Sequence, residues 1–278
     1  MTFNSSLFNV GLFNGTFNLG GLLTSTEDIS FNGYGLQNSN IITSDIDIEP
    51  IQRDFRAVPV PNGHGEILNS DYWRVKQITI SGVLIHDTRA ELEELIFQFK
   101  KELSKQSKNF DRVMGNGTKR RYICTPTRID VDASEHYAIT RATFSVAFTV
   151  LVPFGQATAY TAFQYSVTDL IKKEILENNG NAPGFPVWVL VVNTATAITA
   201  INITNETTDE EIEITHAIVA ADVLIFDSDE QTVTLNGTEI DFDGQFPILN
   251  PDSNSYKITA TGTAIDYELT AKVLPRYL

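Results

Sequence analysis

Apolar and polar residues alternate with period two over most of this chain. The alternation is strict at Asp45-Ile46-Asp47-Ile48 and at Thr143-Phe144-Ser145-Val146-Ala147-Phe148, the pattern of strands with one face in a core. Residues 73–85 form another strand, with apolar residues at Val75, Ile78, Ile80, Val83 and Ile85. Its phase slips near Gly82, which predicts a bulge. The period changes after Ile85. Leu92, Leu95, Ile96, Phe99 and Leu103 recur at three- and four-residue spacing and line one face of a helix predicted over 88–107. Thr88-Arg89-Ala90-Glu91 reads as a capping box at its start, and Lys100, Lys101 and Lys105 complement the dipole at its end.

Beyond the helix the β pattern resumes. Met114-Gly115-Asn116-Gly117-Thr118 is a turn, Lys119–Ile123 opens a strand, and 128–133 and 139–151 complete a sheet. Residues 155–183 read as a connector with a short helix over Ser166–Glu177, ended by Asn178-Asn179-Gly180. From Pro186 onward eight short strands follow: 186–192, 198–205, 211–215, 223–227, 232–235, 239–242, 256–261 and 267–274. Asn236-Gly237 marks a hairpin turn among them, and strands so spaced indicate a β-sandwich. The fold class expected is mainly β: an N-terminal β-barrel or sandwich-like domain with one amphipathic helix over 27–154, then a C-terminal sandwich over 184–278. Residues 1–26 stand apart. They form a loose Phe/Asn/Gly repeat, as in Phe8-Asn9-Val10-Gly11 and Phe17-Asn18-Leu19-Gly20, and read either as a flexible arm or, favoured by the Phe residues, as an arm that orders against a neighbouring subunit. Pro59–Gly65 reads as a loop.

Charge divides the chain. Residues 1–180 hold 17 Lys and Arg against 20 Asp and Glu, a balance of −3. Residues 181–278 hold 3 against 15, a balance of −12, which together give the chain's −15. An acidic C-terminal half repels phosphate and argues against a grip on nucleic acid. No apolar run reaches the length of a membrane span, and Met1-Thr2-Phe3-Asn4 lacks the basic start of a secretory signal. Cys124 is the single cysteine, so no intrachain disulfide and no cysteine cluster for zinc can form.

Candidate chemistry is sparse. Gly115-Asn116-Gly117-Thr118-Lys119 lacks the spacing of a phosphate loop and precedes a strand, not a helix. His64, His86, His136 and His216 have no ligand-spaced partner. Asp227-Ser228-Asp229-Glu230 lacks the alternation of a calcium loop and reads as a turn, as does Asp209-Glu210-Glu211. Lys119, Arg120, Arg121, Arg128 and Arg141 have only Tyr122 as a stacking neighbour, so inter-subunit ion pairs account for them at least as well as nucleic acid does. Trp73 and Trp188 lie in strands, where packing is the default, with sugar stacking at Trp188 the alternative. Asn202, Asn205 and Asn236 match the glycosylation pattern but carry no weight without a secretion signal. No catalytic, cofactor or metal site is expected, and the ligand-binding residues stay open.

Several segments are similar, in order and spacing, to the distal tail proteins of siphophages. They are Phe31-Asn32-Gly33-Tyr34-Gly35, the strand ending Ile78-Thr79-Ile80-Ser81-Gly82, the single helix, and Arg121-Tyr122. In the second half they are 201–208, 221–227, 232–237 and the terminal Arg276-Tyr277-Leu278. The resemblance implies a ring-forming N-terminal domain and a galectin-like C-terminal domain. It implies a structural, non-enzymatic virion protein of the tail tip, made in the host cytoplasm. It also implies a homo-hexamer joining the tail tube protein to the tail-tip hub and receptor-binding proteins, with DNA passing through unbound. The alternative is a carbohydrate-binding adhesin that contacts host surface glycans.

Overall fold

The computed structural model describes residues 28–59, 64, 66–133, 140–193, 197–263 and 265–278. The arm expected over 1–26 and most of the loop at 59–65 lie outside these, as does His136. The chain divides into two compact units, Met1–Pro153 and Phe154–Leu278.

The first unit contains β1 (Ile29–Phe31), β2 (Tyr34–Gly35), β3 (Ile41–Ile48), β4 (Arg53–Pro59), β5 (Glu66–Trp73), β6 (Lys76–Ile85), α1 (Arg89–Leu103), β7 (Lys108–Val113), β8 (Lys119–Asp132) and β9 (Arg141–Val150). All of these strands except β4 and β5 form a sheet in the order β2-β1-β7-β8-β9-β6-β3, with antiparallel neighbours. This sheet runs open from β2 to β3, so the barrel expectation is corrected to an open sheet with a helix on its core face. Alternation places Ile78, Ile80 and Leu84 of β6 beside Phe144, Val146, Phe148 and Val150 of β9, all buried. α1 adds Leu92, Phe99 and Leu103 to the same core. Phe99 meets Phe144 with ring centroids 5.0 Å apart.

The capping box forms as its sequence predicts. The Glu91 amide donates to the Thr88 hydroxyl, and the Thr88 amide donates to the Glu91 carboxylate at 3.2 Å. The helix ends at Leu103, four residues short of the expected 107. Ser107 sits at φ 50°, outside helical space, and Lys108 already begins β7.

The expected bulge at Gly82 is displaced to the opposite strand. β6 keeps its alternation through Gly82, and the register shift lies between Thr43 and Asp45 of β3. A Cβ at Gly82 would stand 2.2 Å from the Ile42 carbonyl oxygen and 2.8 Å from the Phe144 ring. Glycine is there because backbone and an aromatic ring close on that position.

The second unit contains β10 (Gly155–Gln156), β11 (Thr161–Val167), β12 (Ile171–Asn178), β13 (Val187–Val192), β14 (Ala197–Asn205), β15 (Glu210–Ile218), β16 (Val223–Asp227), β17 (Thr232–Leu235), β18 (Thr238–Glu239), β19 (Asp243–Gly244), β20 (Asp252–Thr263), β21 (Tyr267–Val273) and β22 (Arg276–Tyr277). Two sheets, β11-β21-β13-β16-β17-β18 and β12-β20-β14-β15-β19, share one core, as in a sandwich. Trp188 and Tyr256, both fully buried, meet at 5.0 Å within it. The Asn236-Gly237 turn joins β17 to β18 with both residues at positive φ, 51° and 80°.

The connector helix over Ser166–Glu177 is contradicted. These residues form the end of β11 and most of β12, full members of the sandwich. Val167, Leu170, Ile171 and Ile175 carry helix-like spacing, but Val167 points into the core while the other three are more than half exposed. Eight residue pairs with β20, from Ile171↔Thr259 to Asn178↔Asp252, override the local pattern. The chain end is also structured. β22 pairs with β10, the Leu278 amide donates to Asn181 Oδ1 at 2.7 Å, and Arg276 bonds Asp229 at 2.6 Å while lying over the Phe185 ring.

Candidate functional site

Among the described residues no group of His, Cys, Asp and Glu is arranged to hold a metal ion. His86 Nδ1 lies 2.9 Å from Glu91 at the start of α1, and His64 and His216 are exposed. The buried Cys124 thiol has its pKa pushed up to about 12 by burial, the opposite of a reactive cysteine. Asp227-Ser228-Asp229-Glu230 is a turn, in which Asp227 Oδ1 accepts from the amides of Asp229 and Glu230.

The basic cluster is brought together only in part. Arg121 reaches Asp111 of β7 through two bonds of 2.7 and 2.9 Å, and Lys119 joins the same carboxylate at 3.1 Å. Burial works to raise the Asp111 pKa, but these cations outweigh it and hold the carboxyl below its ordinary value. Arg128 pairs with Asp130 along its own strand. These pairs are within the chain, so they do not need the inter-subunit partners that the sequence suggested.

Trp188 is fully buried and offers no face for a sugar. Trp73 is half-buried and carries Arg53 over its ring at 5.2 Å.

Trp73 belongs to the most unusual surface of the first unit. Among the described residues β4 and β5 pair only with each other, as a two-stranded ribbon. On one face Arg53 covers Trp73. On the other, the Tyr72 hydroxyl donates to Asp54 at 3.0 Å, and Arg74 bonds the same carboxylate at 2.8 and 3.1 Å. The bond from Arg74, then that from Tyr72, lowers the Asp54 pKa. Phe55 is 68% exposed and Tyr72 56%. A two-stranded ribbon in water is marginal by itself, and aromatics left in solvent favour a covering surface. The sequence placed a loop at Pro59–Gly65 but no strand pair on its two sides, so the ribbon was not expected. Its signal was Pro59-Val60-Pro61-Asn62-Gly63, turn chemistry between two aromatic-bearing runs.

The second surface is an open groove of about 570 Å³ between α1 and the turn before β3. Tyr34, Ile41 and Leu95 give it an apolar floor, and Glu91 and Glu94 line one side. Gln98 donates to Glu94 at 2.7 Å, so the helix face is ordered by its own side chains.

Residues 179–270, most of the sandwich, match the family described as siphovirus-type tail component, C-terminal domain. The fold of the chain as a whole is also that of a phage protein. The Dit protein of phage SPP1, described as a paradigm of the hub adsorption apparatus in phages infecting Gram-positive bacteria, superposes with a TM-score of 0.67. The match covers 91% of this chain and 99% of that one at 12% identity, so the likeness is one of fold. A chain of the phage P2 baseplate in its activated conformation matches more loosely, at 11% identity and a TM-score of 0.44, over 88% of this chain and 97% of that one. No curated protein matches the chain.

Proposed function

We propose that this protein is a structural component of a siphophage tail tip that assembles as a hexameric ring. In this reading the ring joins the tail tube to the tail-tip and receptor-binding proteins, and DNA passes through it without specific binding. The observation that carries the reading is the whole-length fold match with the SPP1 hub protein, together with the tail-component family of the sandwich. The free-standing β4–β5 ribbon supports it, because a closed ring requires one surface patch to fit a different patch on the next copy. The acidic C-terminal half is compatible with a conduit that does not retain DNA.

Light scattering on the full chain tests the ring. The expected mass is that of about six subunits, falling toward the monomer in the double variant Phe55→Ser, Tyr72→Ser. Both side chains are exposed, so the fold should survive. A wild-type protein that remains monomeric at micromolar concentration, alone and with tail tube protein added, would sink the ring reading. An unchanged mass in the variant would keep the ring but remove the ribbon from it.

A further inference from the structure

α1 shows different chemistry on its two exposed flanks. One flank borders the open groove of about 570 Å³ between the helix and the turn before β3. Tyr34, Ile41 and Leu95 floor this groove, and Asn38, Ser39 and Asn40 line it from the turn. The turn is fixed from within: Asn38 Oδ1 accepts from the amides of Asn40 and Ile41, and Asn38 Nδ2 donates to the Gly35 carbonyl. On the helix side, Glu91 Oε2 accepts from the Thr88 hydroxyl and Glu94 Oε1 from Gln98. Among the described residues the second oxygen of each carboxylate accepts no hydrogen bond. An apolar floor beside two half-satisfied carboxylates suits an occupant that is both apolar and cationic, and repels an acidic one.

The other flank carries that chemistry. Phe97 is 61% exposed, and Lys100 and Lys101 stand beside it one turn further on, both exposed. Neither lysine makes an ion pair among the described residues, whereas Lys105 close by is bonded to Glu102. At roughly 100° per residue, Phe97, Lys100 and Lys101 stand about a third of the way round the helix from Glu91, Glu94, Leu95 and Gln98. The helix fixes that offset, so knob and groove of one copy cannot meet. They match in apolar character and in charge, two cations for two carboxylates. The ribbon matches less well. Arg53 lies over Trp73 and Arg74 bonds Asp54, which leaves it Arg56.

We propose that the α1 groove receives Phe97, Lys100 and Lys101 of a second copy of this chain. The Phe97 ring covers Tyr34, Ile41 and Leu95 as an aromatic anchor. The lysine stems lie along the same apolar floor, and their ammonium groups reach the carboxylates of Glu91 and Glu94. Charge pairing of this kind fixes partner choice and register more than strength, which the buried ring supplies. Knob and groove are different patches, so the contact passes from each copy to the next, as a ring requires. The proposal rests on the ring reading and adds to it the two surfaces that meet.

Charge reversal followed by mixing tests it, read by light scattering on the full chain. Glu94→Lys and the double variant Lys100→Glu, Lys101→Glu change exposed side chains, so their circular dichroism should equal that of the wild type. Each variant alone is expected to fall from about six subunits toward the monomer. Mixed at equal concentration, the two should associate again, because the intact knob of the first meets the intact groove of the second. Wild-type mass in either variant overturns this contact alone and leaves the ring standing on other surfaces, the ribbon among them. Variants that dissociate but stay monomeric when mixed also overturn it, since each patch then meets something other than its proposed counterpart. A wild-type chain that is monomeric, with or without tail tube protein, overturns the ring and this contact together.

Discussion

Lys76 is buried at the start of β6, with its ammonium 4.6 Å from the centre of the Tyr122 ring. Burial, and then the nearby charge of Arg120, push its pKa down to about 8 from 10.5. The folded state therefore releases this proton before the unfolded state does. Between about pH 8 and 10.5 the unfolded chain holds more protons, so this group's unfavourable contribution is full below pH 8 and fades as pH rises. Lys76→Met should raise stability at pH 7 by about 1–2 kcal/mol, and by much less at pH 10, in denaturant melts at the two pH values. Asp111 acts in the opposite sense. Its lowered pKa stabilises the β7–β8 hairpin above the ordinary carboxylate range, and that stability is lost as pH falls through the folded value. Asp111→Asn should cost about 2 kcal/mol at pH 7. The sequence showed Arg121 and Lys119 as a basic cluster but not the carboxylate that holds them, because Asp111 becomes their neighbour only through the pairing of β7 with β8.

Among elements, α1 is the one whose beginning is written most plainly in the sequence, since a capping box acts between residues three apart. Thr88→Ala should destabilise the first unit by about 1 kcal/mol, read as a lowered midpoint in urea. Gly82→Ala should do more harm, because its new methyl meets backbone and ring at contact distances no small shift relieves. Strands whose hydrophobic faces enter a core, such as β9, β16 and β17, were legible within a residue or two. The failures share one cause. β12 turns Ile171 and Ile175 toward water, and β4 and β5 have no core of their own, so neither obeys the inside–outside pattern that sequence reading depends on. The bulge was misplaced for a related reason, since a glycine marks where something approaches but not which strand yields.

At the scale of the whole molecule, the sandwich begins and ends in the same place. β10 and β22, which belong to neither sandwich sheet, flank it in the chain and pair with each other, with Gly155 opposite Tyr277 and Gln156 opposite Arg276, and Arg276 anchored to Asp229. A domain gripped at both ends in this way resists traction in the weakest geometry open to a β-structure. Force along its two ends would part the pairs one after another, Gly155 from Tyr277 first, as a zipper opens, and no row of hydrogen bonds would be loaded together. Under mechanical load the mouth of the sandwich would yield before its core, and Arg276 is the side chain that would hold it shut.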